Sequence, residues 1–541
     1  MFNKSINILL IFCLLPLLLW AQPQALRKPK LTVVIAVEGL KSDHIATLWN
    51  VFGNGGFKRI IGEGAYISKA KCNYIPAGEI TDYATIFTGT VPYFHGITSE
   101  KYYNLVEDAA VSFTYDSRYK GIACAETVSP RRLLSTTIAD EVALSQSGQS
   151  KIYAFALQSD DALMMGGHLA NAAIWIDDQT GNLCTTNFYE KGLPSWVEKM
   201  NIDYTVSDYM NQQWTPMQAI DKYLFAPCTK KQLGNKWLFY DSNDYKTFSQ
   251  QISTFKQTPA VNSLMRNLAV KTLREAEMGE DDFTDMLCVQ FTVNSPFQKN
   301  DNTMCLEQED LYLRLDKEIR YLLDAIDISV GMNNAVVVLI TAQDKKQTSQ
   351  FDSDLSKKIP SGQFNTKRSL ALLNSYLMAI YGQGQWINDY YNRNIYLNHA
   401  LINSNKINKQ EMEMYAAQFL TEFEGIQNAF TSTQIQNAGG NDIMIKIRNG
   451  YHKNVSGDIV FTLLPGWSEV DLNKQVIEHP HQAQTNIPIA FYGFGIKAQE
   501  IKGEINMEDI APTLSDLLRI NYPNGCIGKP ILSVTAADKS R

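Results

Sequence analysis

Three acidic residues occupy positions where side chains could do chemistry. Glu38 follows the apolar run Leu31–Val37, Glu79 lies inside the segment Asn73–Ile97, and Asp344 follows a later apolar run. Carboxylates at strand ends offer oxygen ligands, and these three could together hold one hard cation such as Mg²⁺ or Ca²⁺. Each one alone is equally well explained as a hydrogen-bonded or solvated carboxylate at a helix N-terminus, where negative charge is favourable.

The elements that would position these side chains are typical of a parallel sheet. Leu31–Val37 (LTVVIAV) and Ala335–Ile340 (AVVVLI) are continuous β-branched runs, which predict strands buried on both faces. Lys151–Leu157 and Met286–Val293 predict further strands, and helical segments separate them. Strands that alternate with helices predict right-handed crossovers in one α/β unit. Because ligands gather at the carboxyl ends of such strands, we expect Glu38 at the mouth of a site.

A series of short motifs follows along nearly the whole chain. They are Gly55–Ile60, Glu63–Ala65, Asn73–Glu79, Phe87–Pro92, His95–Ile97, Ser129–Leu134, Asp310–Asp316, Ser456–Phe461 and Asp509–Leu514. Their types and order resemble the alkaline phosphatase superfamily, in particular its secreted bacterial phosphatase and type I phosphodiesterase/nucleotide pyrophosphatase branch. The resemblance implies a three-layer α/β/α sandwich around a mostly parallel sheet, with inserted cap lobes.

The resemblance also implies a chemistry, in which two metal ions held by Asp and His flank a Thr or Ser nucleophile. The family places an Asp at the end of the first strand and the nucleophile three residues after the Pro of its N-Y-x-P segment. Here those places hold Glu38 and Glu79. A carboxylate cannot become an alkoxide, and Thr81 would point to the opposite face of an extended segment. No catalytic residue is therefore predicted, and Glu79 marks only the nucleophile position.

The metal ligands that the resemblance implies are also replaced. After Ala335–Ile340 the family reads T-A-D-H-G, and this chain has Gln343 and Asp344 in place of the Asp-His pair. Asn486 replaces a family His, and Asn294–Asn302 contains neither the expected Asp nor a His. Zinc sites in proteins use nitrogen or thiolate donors, so we expect no zinc pair. The only cofactor left open is a single Mg²⁺ or Ca²⁺ on Glu38, Glu79 and Asp344.

Substrate contacts show a similar replacement. The phosphatase branch carries a Lys and an Arg that hold the substrate phosphate, and this chain has Gln158 and Asp160 there. The segment offers an anion no positive side chain, and Asp160 and Asp161 add two negative ones. Gln158 and Asp160 remain candidate ligand-binding positions of a degenerate phosphate site.

The remaining histidines give no clear metal site. His95 lies in the family-like motif TGTVPYFHGI, and we interpret it as a structural turn residue. His479 and His481 flank Pro480 and could bind a metal as an i, i+2 pair. A loop role explains them better, because nothing nearby in the sequence completes a coordination shell.

Composition and the N-terminus indicate where the protein works. Residues 1–21, with Lys4 before an apolar run, predict a signal peptide, and an uncleaved anchor is the alternative. The run is too short for a good membrane span, so we expect a periplasmic or secreted protein. Residues 22–541 are predicted to form one domain, with cap insertions at about 173–258 and about 358–440. A net charge of −7 gives no basic field for nucleic acid.

Seven cysteines follow the predicted signal peptide: Cys72, Cys124, Cys184, Cys228, Cys288, Cys305 and Cys526. None of them is spaced as C-x-x-C, so structural disulfides or buried thiols are the better interpretation. The sequence does not determine which of them pair.

Two classes of function follow. The first is a non-enzymatic protein that binds an unidentified ligand or protein partner in a phosphatase-like cleft. The second is a phosphoric or sulfuric ester hydrolase with altered chemistry, which uses one metal ion. The first class is the prediction, because the nucleophile and the metal ligands are replaced.

Overall fold

The computed structural model describes most of the chain after residue 26. The described residues are 27–75, 78–104, 106–229, 231–233, 236–297, 304–342, 362–437, 439, 442–470, 476–477 and 486–535. The predicted signal peptide, Gln343, Asp344, His479 and His481 lie outside them. Among the described helices, none has the length and the apolar character needed to cross a membrane.

A ten-stranded sheet forms the centre of the molecule. In spatial order its strands are Gln499–Glu500, Ala65–Ala70, Ile487–Gly493, Ala335–Ile340, Leu31–Glu38, Asp285–Thr292, Ile152–Phe155, Ala172–Ile176, Leu183–Thr186 and Gly121–Ile122. The five strands from Ala335–Ile340 to Ala172–Ile176 all run parallel, and most strands outside them pair antiparallel. The central part of the sheet is therefore the parallel region that the apolar runs predict.

Alternate residues of the central strand Leu31–Glu38 enter two different hydrophobic cores. Leu31, Val33, Ile35 and Val37 pack into one core, and Val34 and Ala36 pack into the other. The first core is covered by the helices Ser42–Leu48, Phe57–Glu63, Pro259–Glu275 and Leu306–Ser329. The second is covered by Glu79–Thr88, Ile138–Ser145, Ser159–Gly166 and Ile510–Leu518. Helices on both faces of the sheet confirm the predicted three-layer fold.

Several shorter elements lie around these layers. The helices are Pro92–His95, Ser195–Ile202, Thr205–Met210, Phe248–Phe255 and Leu532–Thr535, and the single 3₁₀ turns are Ile220–Lys222, Ser242–Asp244, Met332–Asn334 and Met507–Asp509. Two small hairpins pair Lys101–Asn104 with Ala109–Ser112, and Gln232–Leu233 with Lys236–Trp237.

Two strands at the start of the first predicted cap lie in the main sheet instead. Ala172–Ile176 pairs parallel with Ile152–Phe155, and Leu183–Thr186 returns antiparallel beside it. Both strands are fully buried, because the hydrophobic cores on the two faces of the sheet cover their side chains. The boundary predicted at about residue 173 therefore differs from the structure, in which the main sheet continues to Thr186.

A second compact region, which we call the cap, consists of the described residues between 362 and 477. Its four-stranded sheet has the order Ile387–Tyr391, Asn394–Leu397, Ile459–Leu463 and Ile426–Thr431. Its helices are Thr366–Tyr381, His399–Ser404, Lys409–Leu420, Ser432–Gln436 and Asp442–Gly450, and a smaller sheet joins Gly362–Asn365, Trp467–Val470 and Val476–Ile477. A separate hydrophobic core runs from Phe364 to Leu463. The cap therefore extends past the predicted end at residue 440.

Candidate functional site

The candidate site lies where the central parallel strands end. Glu38 is the last residue of its strand and pairs in register with Thr292, the last residue of the next strand. On the other side, Ala36 pairs with Ile340, where a third strand ends. The three carboxyl ends therefore meet at one edge of the sheet, the place where open α/β sheets bind ligands.

Glu38 is held at this edge by an amide. Asn294 Nδ2 donates a hydrogen bond to Glu38 Oε1 at 2.8 Å, and the backbone N–H of Asn294 donates to Thr292 Oγ1 at 3.0 Å. Gly39, with φ +77°, lets the chain turn directly after Glu38. A Cβ at this glycine would lie 2.0 Å from Asn294 Oδ1, so no other residue allows the asparagine to approach so closely.

Glu79 is the first residue of the helix Glu79–Thr88 and is only 6% exposed. A carboxylate at this position is favoured by the positive end of the helix dipole. The helix start is tied to the cap, because Ile75 N–H donates to Lys446 O and Asn449 Nδ2 donates to Asn73 O. Tyr74, which precedes the helix, donates a buried hydrogen bond from its hydroxyl to Asp82 in the helix.

A single glutamine side chain gathers Glu79 and two other polar groups, and we call Glu79, Tyr83, Asp161 and Gln290 the amide cluster. Gln290 Nε2 lies 2.9 Å from Asp161 Oδ2, 3.1 Å from the Tyr83 hydroxyl and 3.3 Å from Glu79 Oε1. Its Oε1 accepts from Leu157 N–H at 2.8 Å. Gln290 is fully buried, so these protein groups are the partners on which its amide depends.

Two carboxylates therefore share one neutral donor inside the amide cluster. Burial raises the pKa of Tyr83 well above its usual value, and the charges of Asp161 and Glu79 raise it further. Tyr83 consequently stays a protonated phenol at neutral pH. The cluster can position a ligand through hydrogen bonds, but it contains no hydroxyl that is poised to lose its proton.

Gln158 and Asp160 lie at the start of the helix Ser159–Gly166. Gln158 is exposed, and Asp160 Oδ1 accepts a hydrogen bond from Thr114 Oγ1 at 2.5 Å. Glu126 is close enough that burial and the charges of Asp177 and Asp160 raise its pKa. Among the described residues, Asp160 and Glu126 are therefore acidic groups on the face where the resembling family places a Lys and an Arg.

The other predicted site residues are separated from this cluster or lie outside the described residues. Asn486 is exposed, and its carbonyl accepts a hydrogen bond from Ser42 Oγ at 3.1 Å. Gln343 and Asp344 are outside the described residues, so the three-carboxylate cation site stays a prediction. Thr81 lies in the helix, which makes the argument from an extended segment wrong. Its hydroxyl is nevertheless buried, with no hydrogen-bond partner among the described residues.

His95 has partners for both ring nitrogens. Ile97 N–H donates to Nδ1 at 3.1 Å, and Nε2 therefore carries the proton that it shares with Thr85 Oγ1 at 3.1 Å. Burial lowers the pKa of His95 to about 3, so the ring is neutral. This arrangement attaches the turn after Pro92–His95 to the Glu79 helix and fits a structural role.

In the part of the chain that the structure describes, the donors at this edge do not make up the ligands of a pair of zinc ions. Among the described residues, only two groups of three His, Cys, Asp or Glu side chains could hold a metal ion, and neither includes Glu38 or Glu79. The described groups here are carboxylates, amides and a phenol, whereas zinc sites in proteins include imidazole or thiolate donors, alone or beside carboxylates. His44, on the helix after the central strand, bonds the Tyr312 hydroxyl through Nδ1 at 3.1 Å.

Sequence reasoning missed Gln290 and Tyr83 as members of the site, and it noted Asp161 and Asn294 only as residues of segments in which the family's side chains are replaced. The available signal was Gln290, a polar residue inside the otherwise apolar strand MLCVQFTV. A glutamine that interrupts a buried strand needs hydrogen-bond partners, so such a residue indicates a buried polar cluster.

Comparisons with known proteins agree with this architecture. Residues 32–481 match the family model described as type I phosphodiesterase/nucleotide pyrophosphatase. "Alkaline phosphatase PafA" of Elizabethkingia meningoseptica is 28% identical over 523 residues, which cover 94% of this chain and 95% of that protein. A protein of Myroides odoratus named "Calcium-transporting ATPase" is 28% identical over 522 residues, which cover 94% and 95% of the two chains. The crystal structure of wild-type PafA superposes with a TM-score of 0.82 at 26% identity, covering 95% of this chain and all of that one.

Proposed function

This chain belongs to the type I phosphodiesterase/nucleotide pyrophosphatase family, within the alkaline phosphatase superfamily, and from that premise we propose that it is an exported pseudoenzyme. It keeps the cleft of a phosphoric ester hydrolase and uses it to bind a ligand or a protein partner. Relatives named as alkaline phosphatases support ester hydrolysis as an activity that such a scaffold can carry.

The proposal depends on one observation: the carboxylate of Glu79 stands where the family has its nucleophile. Glu79 begins a buried helix at the edge of the central strands, and its Oε1 accepts from Gln290 Nε2 at 3.3 Å. Attack on phosphorus through a serine or threonine requires a hydroxyl that can lose its proton. Glu79 has no such group, and the first two hydroxyl groups of its helix, those of Thr81 and Tyr83, are fully buried.

The charge of the site supports binding without hydrolysis. Glu79 and Asp161 share the amide of Gln290, and Asp160 lies next to Asp161 at the start of its helix. Phosphate esters are anions, and their transition states gain from cations and preorganised donors placed around the transferring group. Acidic groups at these positions oppose that stabilisation, so they disfavour phosphoryl transfer.

The test is a hydrolysis assay on the purified full-length protein. We expect no turnover of p-nitrophenyl phosphate or bis(p-nitrophenyl) phosphate above that of Glu79→Ala, with or without added Zn²⁺ or Mg²⁺. Glu107→Ala, at an exposed position away from the site, controls for contaminating phosphatase. Turnover that survives in Glu107→Ala and disappears in both Glu79→Ala and Glu38→Ala would contradict the proposal.

A second candidate is an ester hydrolase with altered chemistry that uses one metal ion. The placement of Glu38 and Glu79 at the same sheet edge favours it, because two carboxylates there could bind Mg²⁺ or Ca²⁺. In that case, added Mg²⁺ or Ca²⁺ would produce turnover of a phosphate or sulfate ester. Either glutamate-to-alanine change would then abolish the metal dependence together with the activity.

A further inference from the structure

Two pairs of cysteines lie outside the amide cluster, and the first lies where the edge strand of the main sheet meets its neighbour. Gly121–Ile122 pairs antiparallel with Leu183–Thr186, so that Ile122 is opposite Thr185. Ala123, with φ +65°, turns the chain just before Cys124. The Sγ atoms of Cys124 and Cys184 and a carboxylate oxygen of Asp177 lie within 4.8 Å of one another.

The second pair joins a loop to the start of the long helix Leu306–Ser329. Cys305 is the residue directly before this helix, and its Sγ, that of Cys228 and a carboxylate oxygen of Glu307 lie within 4.8 Å of one another. Glu307 fixes the loop, because it accepts from Cys228 N–H at 2.9 Å and from Thr229 N–H at 2.7 Å. The Glu307 carboxylate therefore holds the backbone at Cys228 close to Cys305.

The carboxylate in each group already accepts hydrogen bonds from other protein groups. Both oxygens of Glu307 accept backbone hydrogen bonds from Cys228, and Asp177 Oδ2 accepts from Thr180 N–H at 2.7 Å and Thr180 Oγ1 at 2.6 Å. A structural zinc site needs four ligands, and each group offers three. The two sulfur atoms of each pair remain as the groups that can react with each other.

Each pair combines one accessible sulfur with one buried sulfur. Cys124 and Cys228 are half-buried, whereas Cys184 and Cys305 are buried. A hydrogen bond from the Cys184 thiol lowers the pKa of Cys124, and burial raises the pKa of Cys184 and of Cys305. The accessible member can meet an external disulfide, and the buried member can then resolve the intermediate.

We propose that these four residues form two specific disulfides, Cys124–Cys184 and Cys228–Cys305, by exchange with an external disulfide. In each pair, the accessible thiolate attacks a sulfur of the external disulfide, breaks its S–S bond and releases one thiol. The buried thiolate then attacks the mixed disulfide and releases the second thiol. Both protons lost by the protein cysteines end on the two released thiols, so the external disulfide is reduced and the protein pair is oxidised.

The proposal is independent of whether the candidate site hydrolyses esters. The first bond would tie the antiparallel edge of the main sheet to the turn at Ala123. The second would fasten the loop that precedes Gln232–Leu233 to the helix Leu306–Ser329. Both bonds suit an exported protein, because disulfides persist in oxidising compartments.

The test uses the native full-length protein with oxidised glutathione as the external disulfide. After oxidation, the protein is unfolded without reductant, alkylated, digested and mapped by mass spectrometry. We expect cross-linked peptides for Cys124–Cys184 and Cys228–Cys305, while Cys72, Cys288 and Cys526 become alkylated. Stable glutathione adducts on Cys124 or Cys228, different cross-links, or four alkylated thiols would each overturn the proposal.

Two variants and one metal measurement sharpen this test. In Cys184→Ser, we expect Cys124 to be trapped as a glutathione adduct while Cys228–Cys305 still forms. Cys526→Ser is the matched control and should leave both cross-links unchanged. Zinc that copurifies and is released when a thiol reagent modifies these four cysteines would identify them as metal ligands and overturn the disulfide assignment.

Discussion

Asp458 in the cap and Glu79 at the edge of the main sheet are both buried carboxylates, each 6% exposed. Asp458 receives two cationic or cation-forming partners, with Lys409 Nζ at 2.5 Å and His399 Nε2 at 2.9 Å. Glu79 instead accepts from the neutral amide of Gln290, which also serves Asp161. The same chain therefore buries carboxylates in two ways.

The two regions differ in the charge of the groups that surround the buried carboxylates. In the cap, burial would raise the pKa of Asp458, but His399 and Lys409 keep it below its usual value. Glu413 also belongs to this ion-pair network, because its Oε1 lies 3.1 Å from Lys409 Nζ. The amide cluster keeps two carboxylates around one neutral donor, an arrangement that suits hydrogen-bonded binding and disfavours an anionic substrate.

Changing the amide that both carboxylates share should have the largest effect. Gln290→Glu would bury a third carboxylate beside Glu79 and Asp161. We therefore expect the free energy of unfolding to fall by about 3–5 kcal/mol. Urea unfolding at pH 7 measures it. Gln363→Glu, at an exposed strand position in the cap, should change the value by less than about 0.5 kcal/mol. Equal effects of the two substitutions would refute the shared-amide description.

Removing the cation of the cap network tests the other side of the comparison. Lys409→Met leaves Asp458 and Glu413 without their ammonium partner, and we expect a loss of about 2 kcal/mol at pH 7, because Lys409 is partly exposed. Lys367→Met, an exposed position on a cap helix, should have almost no effect.

The loss in Lys409→Met should also depend on pH. The folded pKa of Asp458 is lowered, so its contribution is present above its unfolded pKa and is lost as the pH falls through the folded value. The stability difference between wild type and Lys409→Met should therefore shrink in acid. A difference that grows as the pH falls would contradict the ion pair.

Glu508, a buried carboxyl group in the 3₁₀ turn Met507–Asp509, gives a third test. Asn73 Nδ2 lies 3.5 Å from Glu508 Oε1, and burial, followed by the charge of Asp509, raises the pKa of Glu508 to about 7. The folded state then binds this proton more tightly than the unfolded state does. Wild-type stability should therefore fall as the pH rises from about 4.5 to about 7.

Replacing Glu508 removes that pH dependence. Compared with wild type, Glu508→Gln should gain about 2–3 kcal/mol in the free energy of unfolding between pH 4.5 and pH 8. Thermal unfolding across this pH range measures the gain. Glu107→Gln is the exposed control. Parallel pH profiles for wild type and Glu508→Gln would show that the carboxyl group titrates normally.

The smallest expected effect concerns Glu79 itself. Glu79→Gln removes one of two like charges around the Gln290 amide, so stability should stay within about 1 kcal/mol of wild type or rise. Added Mg²⁺ or Ca²⁺ should not change the melting temperature of either protein. A melting temperature that rises with Mg²⁺ in wild type and not in Glu79→Gln would identify Glu79 as a metal ligand.

The sequence predicted the sheet well because each central strand is a continuous apolar run. Leu31–Glu38, Asp285–Thr292 and Ala335–Ile340 lie within one residue of their predicted bounds. The candidate site was predicted only as a set of replacements, at Glu38 and Glu79. Its hydrogen-bonded partners Gln290 and Asp161 come from segments far apart in sequence, and only the packing of two helices against the strand brings them together.

Two further errors have the same physical origin. The first cap was predicted to begin at about residue 173, whereas Ala172–Ile176 pairs in parallel with Ile152–Phe155, a pairing that tertiary packing determines. Likewise, the second cap was predicted to end at about residue 440, whereas the strand Ile459–Leu463 pairs with Ile426–Thr431 in the cap sheet. Short-range patterns indicate the type of an element, but they do not determine which sheet receives it.

The metal content of the purified full-length protein is the most direct test of the central claim. Elemental analysis after exchange into metal-free buffer, and again after incubation with Zn²⁺ and removal of the excess, counts the ions bound per chain. The amide-held carboxylates of Glu38 and Glu79 predict that no zinc pair is retained in either case. Two equivalents of zinc, with hydrolysis of p-nitrophenyl phosphate, would show a working bimetallic esterase and contradict the account.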